Sequence, residues 1–153
     1  MPAIYGNSYQ IVQGQGYVAI LYEMIHETRV IPLDDNHAHV GGNIHLDMGD
    51  ARGHWEGDTL VVETTNFRER SVYRNAGVGA LKLTERFTRL SPTRLDWRVT
   101  VDDATTWTKP WTFAIPLTVN DDEPVFEYAC HEGNYAVRNM LSATRAEERA
   151  GAK

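Results

Sequence analysis

Cysteine is almost missing from this chain: Cys130 stands alone among 153 residues. No intrachain disulfide can form, so the fold must be held by its core. Positive charge is also scarce, since 15 Lys and Arg against 21 Asp and Glu leave a net charge of −6. Phosphate-rich partners would on average be repelled, which argues against nucleic acid and anionic lipid as partners. Nowhere does an apolar run approach the ~18 residues of a membrane span. The polar start Met1-Pro2-Ala3-Ile4 has no signal-peptide character, so a soluble chain is expected. Repeats, low-complexity tracts and linkers are absent as well, and one domain over 1–153 is expected. A chain of this length buries about two-thirds of its unfolded surface, enough for a core without staples.

What is present is alternation with period two, the pattern of half-buried strands. Tyr9–Gln13 reads as a strand and Gln13-Gly14-Gln15-Gly16 as its turn; Tyr17–Ile25 and Arg29–Leu33 form a hairpin broken near His26-Glu27-Thr28. Residues 34–50 carry Asp, Asn, Gly and His without periodicity and form a long loop. Arg52–Glu56, Gly57-Asp58 and Thr59–Asn66 make a second hairpin. After a polar link over 67–80 come Leu81–Leu90, a turn at Ser91-Pro92-Thr93, Arg94–Val101, Trp111–Val119 and Pro124–Cys130. Leu83, Glu85 and Phe87 alternate with Thr84, Arg86 and Thr88, and in the next strand Leu95, Trp97, Val99 and Val101 face inward. From Asn134 the period becomes helical through Tyr135, Val137, Met140, Leu141 and Thr144, giving a C-terminal helix over 134–149 that closes the domain. The expected fold is mainly β: an antiparallel up-and-down barrel, lipocalin-like or calycin-like, around a small-molecule pocket, the alternative being a sandwich with a filled core and its polar groups outside.

Histidine and carboxylates carry the candidate chemistry. Glu23 and His26 flank the centre of the first hairpin, and His131-Glu132 lies at the junction of the last strand with the helix. Imidazole titrates near 6.5 and a neighbouring carboxylate orients it, so His26, His131, Glu23 and Glu132 are the expected acid/base groups. The plainer alternatives are that His131-Glu132 caps the helix with Asn134 as N-cap, and that Glu23 pairs Arg29 across the outer face of the hairpin. Tyr22, Arg29, Trp55, Trp107, Trp111 and Tyr128 are the expected ligand contacts, the aromatics as pocket walls. No cofactor is required. The alternative is a transition metal (zinc, copper, iron or nickel) held by His26, His39 and His131 with an open position for water. Asp102-Asp103 and Asp121-Asp122 read as solvated turns.

Several long phrases resemble one uncharacterised bacterial family. They are Tyr9-Gln10-Ile11-Val12-Gln13, Glu23-Met24-Ile25-His26-Glu27-Thr28-Arg29, and Trp55-Glu56-Gly57-Asp58-Thr59-Leu60-Val61-Val62-Glu63-Thr64-Thr65-Asn66-Phe67. The stretches 100–111 and 127–135 belong with them. In that family the segment resembles the C-terminal half of longer, exported proteins, so the resemblance implies an exported precursor and carries no established activity. It marks Glu23, His26, Arg29, His39, Trp55, Glu56, His131 and Glu132 as parts of shared phrases; His37 and His45 depart from it. The expected function is an enzyme of lyase, isomerase or hydrolase type acting on a small organic substrate. The alternatives are a three-histidine metal enzyme and a non-catalytic carrier of an apolar ligand. Self-association is left open.

Overall fold

The computed structural model describes residues 8–24, 26–33, 38–69, 76–77, 79–126 and 133–151. Among these residues eight strands appear: β1 (Tyr9–Gly14), β2 (Tyr17–Tyr22), β3 (Glu27–Pro32), β4 (Asp50–Glu56), β5 (Thr59–Thr65), β6 (Lys82–Ser91), β7 (Arg94–Asp102) and β8 (Trp111–Thr118). One helix, α1 (Ala136–Gly151), follows. Every ladder is antiparallel between neighbours in the chain, and the strands form a three-stranded sheet β1-β2-β3 and a five-stranded sheet β4-β5-β6-β7-β8. Among the described residues no ladder joins β3 to β4 or β8 to β1.

Local chemistry sets the hairpins. Gly14 still pairs with Tyr17, so the first turn is only Gln15-Gly16, with Gly16 at φ +76°. Gly57-Asp58 joins β4 to β5 with Gly57 at φ +59°, and Trp55 pairs with Leu60. Positive φ costs glycine little, which is why these two-residue turns form where they do.

The inner faces of the two sheets share one core. It takes Val18, Ile20, Tyr22 and Ile31 from the first sheet, and Leu60, Val62, Leu83, Phe87, Trp97, Val99 and Val101 from the second. Contacts cross directly: the Tyr9 and Trp97 rings meet edge-on at 5.9 Å. At Gly53 a Cβ would come within 2.8 Å of Ile31 Cγ2 and 2.9 Å of Leu33 Cδ2. Any side chain there would force β3 and β4 apart.

Four expectations change. The strand from Tyr17 stops at Tyr22, because Glu23 and Met24 already turn and His26, at φ +49°, donates its N–H back to Glu23 O at 3.3 Å. The loop expected over 34–50 ends one residue earlier, with Asp50 already in β4. Pro124–Phe126 carry no strand, and the rest of the expected Pro124–Cys130 strand lies outside the described residues. The helix forms, with Ala136 N–H donating to Asn134 Oδ1 at 3.0 Å as an N-cap, yet it closes nothing: none of its residues is buried.

Candidate functional site

Two polar centres stand out, one on the inner face and one outside β4. On the inner face β3 points Arg29 at the second sheet. Its Nη2 donates to Glu85 Oε2 at 2.5 Å and to Thr64 Oγ1 at 2.5 Å, with Arg29 3% and Glu85 0% exposed. Burial works against the guanidinium's charge, but Glu85 and Tyr22 outweigh it and hold Arg29 firmly protonated. Beside them the Tyr22 hydroxyl is pushed up to about 12, chiefly by burial, so it remains a protonated donor. Arg29 Nε, Arg29 Nη1 and Glu85 Oε1 are buried without hydrogen-bond partners among the described residues. A narrow cleft next to this centre is walled by Tyr9, Ile11, Ile20, Tyr22, Phe87, Trp97 and Leu117, with room for about one water molecule.

The second centre is built where the loop 38–49 enters β4. Alternation along β4 puts Ala51 into the core and turns Asp50 to the opposite face, under the loop. Asp50, 5% exposed, accepts three hydrogen bonds: His39 Nδ1 at 2.8 Å and Val40 N at 2.9 Å on Oδ2, and Arg52 Nη1 at 2.6 Å on Oδ1. Arg52 Nη1 also reaches Ala51 O (2.8 Å), and its Nη2 reaches Ala38 O (3.3 Å). Asn66, at φ +55°, ties the loop from the other side by donating Nδ2 to Val40 O at 2.9 Å and Gly41 O at 3.2 Å. Gly49 admits the chain to β4 at φ +71°, where a Cβ would lie 2.8 Å from Thr65 O.

An ionised Asp50 can only accept, so Nδ1 is the His39 nitrogen that carries a proton in this contact, and in the neutral ring Nε2 would be the acceptor. Nε2 makes no hydrogen bond among the described residues, and the His39 side chain is 29% exposed. A carboxylate that fixes the tautomer and plane of a partly exposed imidazole is the arrangement that general acid/base catalysis uses. It is also the outer-shell arrangement seen behind metal-bound histidine.

The expected site residues scatter. Glu23 Oε2 accepts the Ser8 N–H at 2.9 Å, and Glu23 N–H donates to Ser8 O at 3.2 Å, so Glu23 fastens the start of β1 to the end of β2. His26 is exposed on the β2–β3 turn. The expected outer-face pair of Glu23 with Arg29 is corrected: Arg29 faces inward and pairs with Glu85, because β3 alternation puts it in the row Ile11–Ile20–Arg29. Tyr22 lies inside, as a ligand wall would. Trp55 is 46% exposed near the β4–β5 turn. Trp107 and Trp111 meet edge-on at 5.7 Å and pack at the margin of the core.

Tyr128, His131, Glu132 and His37 lie outside the described residues. Of the expected metal trio, His26 sits exposed on its turn while His39 is bound to Asp50; among the described residues no group of three His, Cys, Asp or Glu is arranged to hold a metal. His54 pairs with Glu56 at 3.3 Å on the surface, and Glu56 in turn accepts from Arg86 at 2.7 Å. Sequence reasoning overlooked Asp50, which looked like the end of a polar loop. Glu85 alternates in the sequence with Leu83 and Phe87, but nothing in that pattern points to Arg29 as its partner.

Comparison of the chain with known protein-family models, curated proteins and solved structures finds no match. No described helix is long and apolar enough to cross a membrane.

Proposed function

We propose that this domain is an enzyme that moves a proton on a small organic substrate, with His39 as the acid/base group and Asp50 as the residue that positions it. The observation that carries this reading is the buried Asp50 carboxylate on His39 Nδ1, with Nε2 making no hydrogen bond among the described residues and the side chain 29% exposed. Lyase, isomerase or hydrolase chemistry all use such a base, and proton transfer by a positioned side chain contributes about 10²–10⁴-fold in rate. The eight-strand meander is read as an opened up-and-down barrel of calycin type. Strand order following chain order, and one core fed by both inner faces, support that reading. In this reading the filled inner face is the scaffold and the loop over β4 holds the chemistry, so His26 and Glu23 are not needed; His131 and Glu132 would contribute only by approaching the same imidazole.

The test starts from reactivity. Carbethoxylation followed by peptide mapping should modify His39 readily and more slowly in Asp50→Asn. A panel of esters, lactones, hydroxy acids and enolisable ketones should reveal one turnover that falls about 10²–10⁴-fold in His39→Gln. An activity that survives His39→Gln would overturn the proposal.

The same imidazole favours a second reading, in which Nε2 is a metal ligand backed by a carboxylate. Protein purified without a histidine tag would then contain about one equivalent of zinc, copper, iron or nickel, and chelator would lower its thermal stability. Less than about a tenth of an equivalent, with unchanged stability, rejects it. A carrier of an apolar ligand, the third reading, would use the aromatic cleft beside Tyr22, and its ligand would have to displace packed side chains there.

A further inference from the structure

The solvent side of the three-stranded sheet is unusual for an antiparallel sheet, whose wet face is ordinarily polar. Its rows are Gln10–Leu21–Thr28, Val12–Ala19–Val30 and Gly14–Tyr17–Pro32, and none of these nine residues is charged. Val12 is 47%, Tyr17 41% and Val30 57% exposed. The Tyr17 ring lies so close over Gly14 that a Cβ there would overlap it, which leaves a low, even surface.

A second exposed apolar surface lies along the helix, none of whose residues is buried. Along α1, Val137, Met140, Leu141 and Thr144 follow the i, i+3, i+4, i+7 spacing of a buried stripe. All of it is bare: Val137 is 65%, Met140 62% and Leu141 51% exposed, with Tyr135 at the helix entrance at 60%. Arg138, Arg145 and Arg149 share one flank of the stripe, at spacings of seven and four. A helix with this stripe and no buried residue is stable only when the stripe is covered.

We propose that two copies of the chain cover both surfaces at once, each laying α1 across the outer face of the other's β1–β2–β3 sheet. The dimensions agree. The stripe Val137–Thr144 runs about 12 Å along a helix about 10 Å wide, and three six-residue strands offer a face about 20 Å long and, at 4.7–4.9 Å spacing, about 10–14 Å across, enough to receive it. The reciprocal pair would bury on the order of 1,600 Å², the size of a standard stable interface. Because α1 buries nothing against its own strands, passing it to a neighbour breaks no packing, and the two-fold exchange closes without leaving a free surface.

Sedimentation equilibrium of the full chain should return twice the 17.3 kDa monomer mass. Val30→Glu on the sheet and Leu141→Glu on the helix should each restore the monomer mass while the far-UV circular dichroism of the strands is kept; both positions are exposed, so folding is not at stake. An equimolar mixture of the two variants should form a heterodimer that neither forms alone, since the intact helix of the first meets the intact sheet of the second. A monomer at every concentration overturns the proposal, including one whose own α1 is protected against hydrogen exchange. So does a dimer that survives Val30→Glu, which would place the interface elsewhere.

Discussion

Arg29 and Glu85 show what a single buried pair asks of its surroundings. Both are withdrawn from water, and three of their polar atoms find no partner among the described residues. Attraction between the charges offsets their desolvation only in part. Glu85→Leu should therefore cost about 3–5 kcal/mol, because it strands a buried guanidinium. The double change Arg29→Met with Glu85→Leu should recover most of that loss, since apolar replacements of buried ion pairs are often neutral or stabilising. Urea denaturation of the three proteins checks it, and additive losses in the double variant would contradict it. The sequence pattern sets Arg29 outside with Glu23 because it implies a three-residue turn over 26–28, whereas four residues separate the paired Tyr22 and Glu27, and that one-residue change moves every β3 side chain to the other face. It also saw histidine near carboxylate where the chain supplies neighbours, at 23–26 and 131–132. The pair that meets, His39 with Asp50, is eleven residues apart across a loop with no periodicity to read.

At the scale of elements, the hairpins β1–β2, β4–β5 and β6–β7 were legible because glycine, proline and alternation are local signals. The turn after β7 was not. Asp102-Asp103 looked like a solvated pair, yet Asp103 is 2% exposed and organises its surroundings. Its carboxylate accepts Gly77 N at 2.6 Å, Thr105 N at 2.8 Å, Thr105 Oγ1 at 2.6 Å and Thr106 Oγ1 at 2.6 Å. Those bonds, the Thr105 hydroxyl first and the Thr106 hydroxyl next, hold Asp103 well below its ordinary value of 3.8. A depressed folded-state value adds stability that is complete above the ordinary carboxylate range and is lost as pH falls below it. Urea midpoints measured from pH 6 to pH 2 should thus fall more steeply for wild type than for Asp103→Asn; parallel curves would mean the network contributes nothing.

For the whole molecule, the shared core predicts that the two sheets unfold together although no ladder joins them. Trp97 is stacked on Phe87 at 5.5 Å in one sheet and touches Tyr9 of the other, so its fluorescence reports on both. Tryptophan fluorescence and far-UV circular dichroism should trace one urea transition with a common midpoint. Two separated midpoints would show that the sheets are independent units.

Local chemistry accounts for the elements: a mainly β chain whose eight described strands lie mostly within two residues of their expected ends, a capped helix, and the inward set of β7, while the ninth expected strand does not form over Pro124–Phe126. These follow from side-chain period and turn chemistry, which act over a few residues. Only the tertiary structure decided which carboxylate each cation meets, that the helix stands clear of the strands, and that the strands divide into a sheet of three and a sheet of five. Those outcomes depend on burial of charge and on close approaches such as that of Gly53 to Ile31, 22 residues apart in the chain. No local pattern records them, because the energy of a buried contact is set by both of its partners and by the water that each has lost.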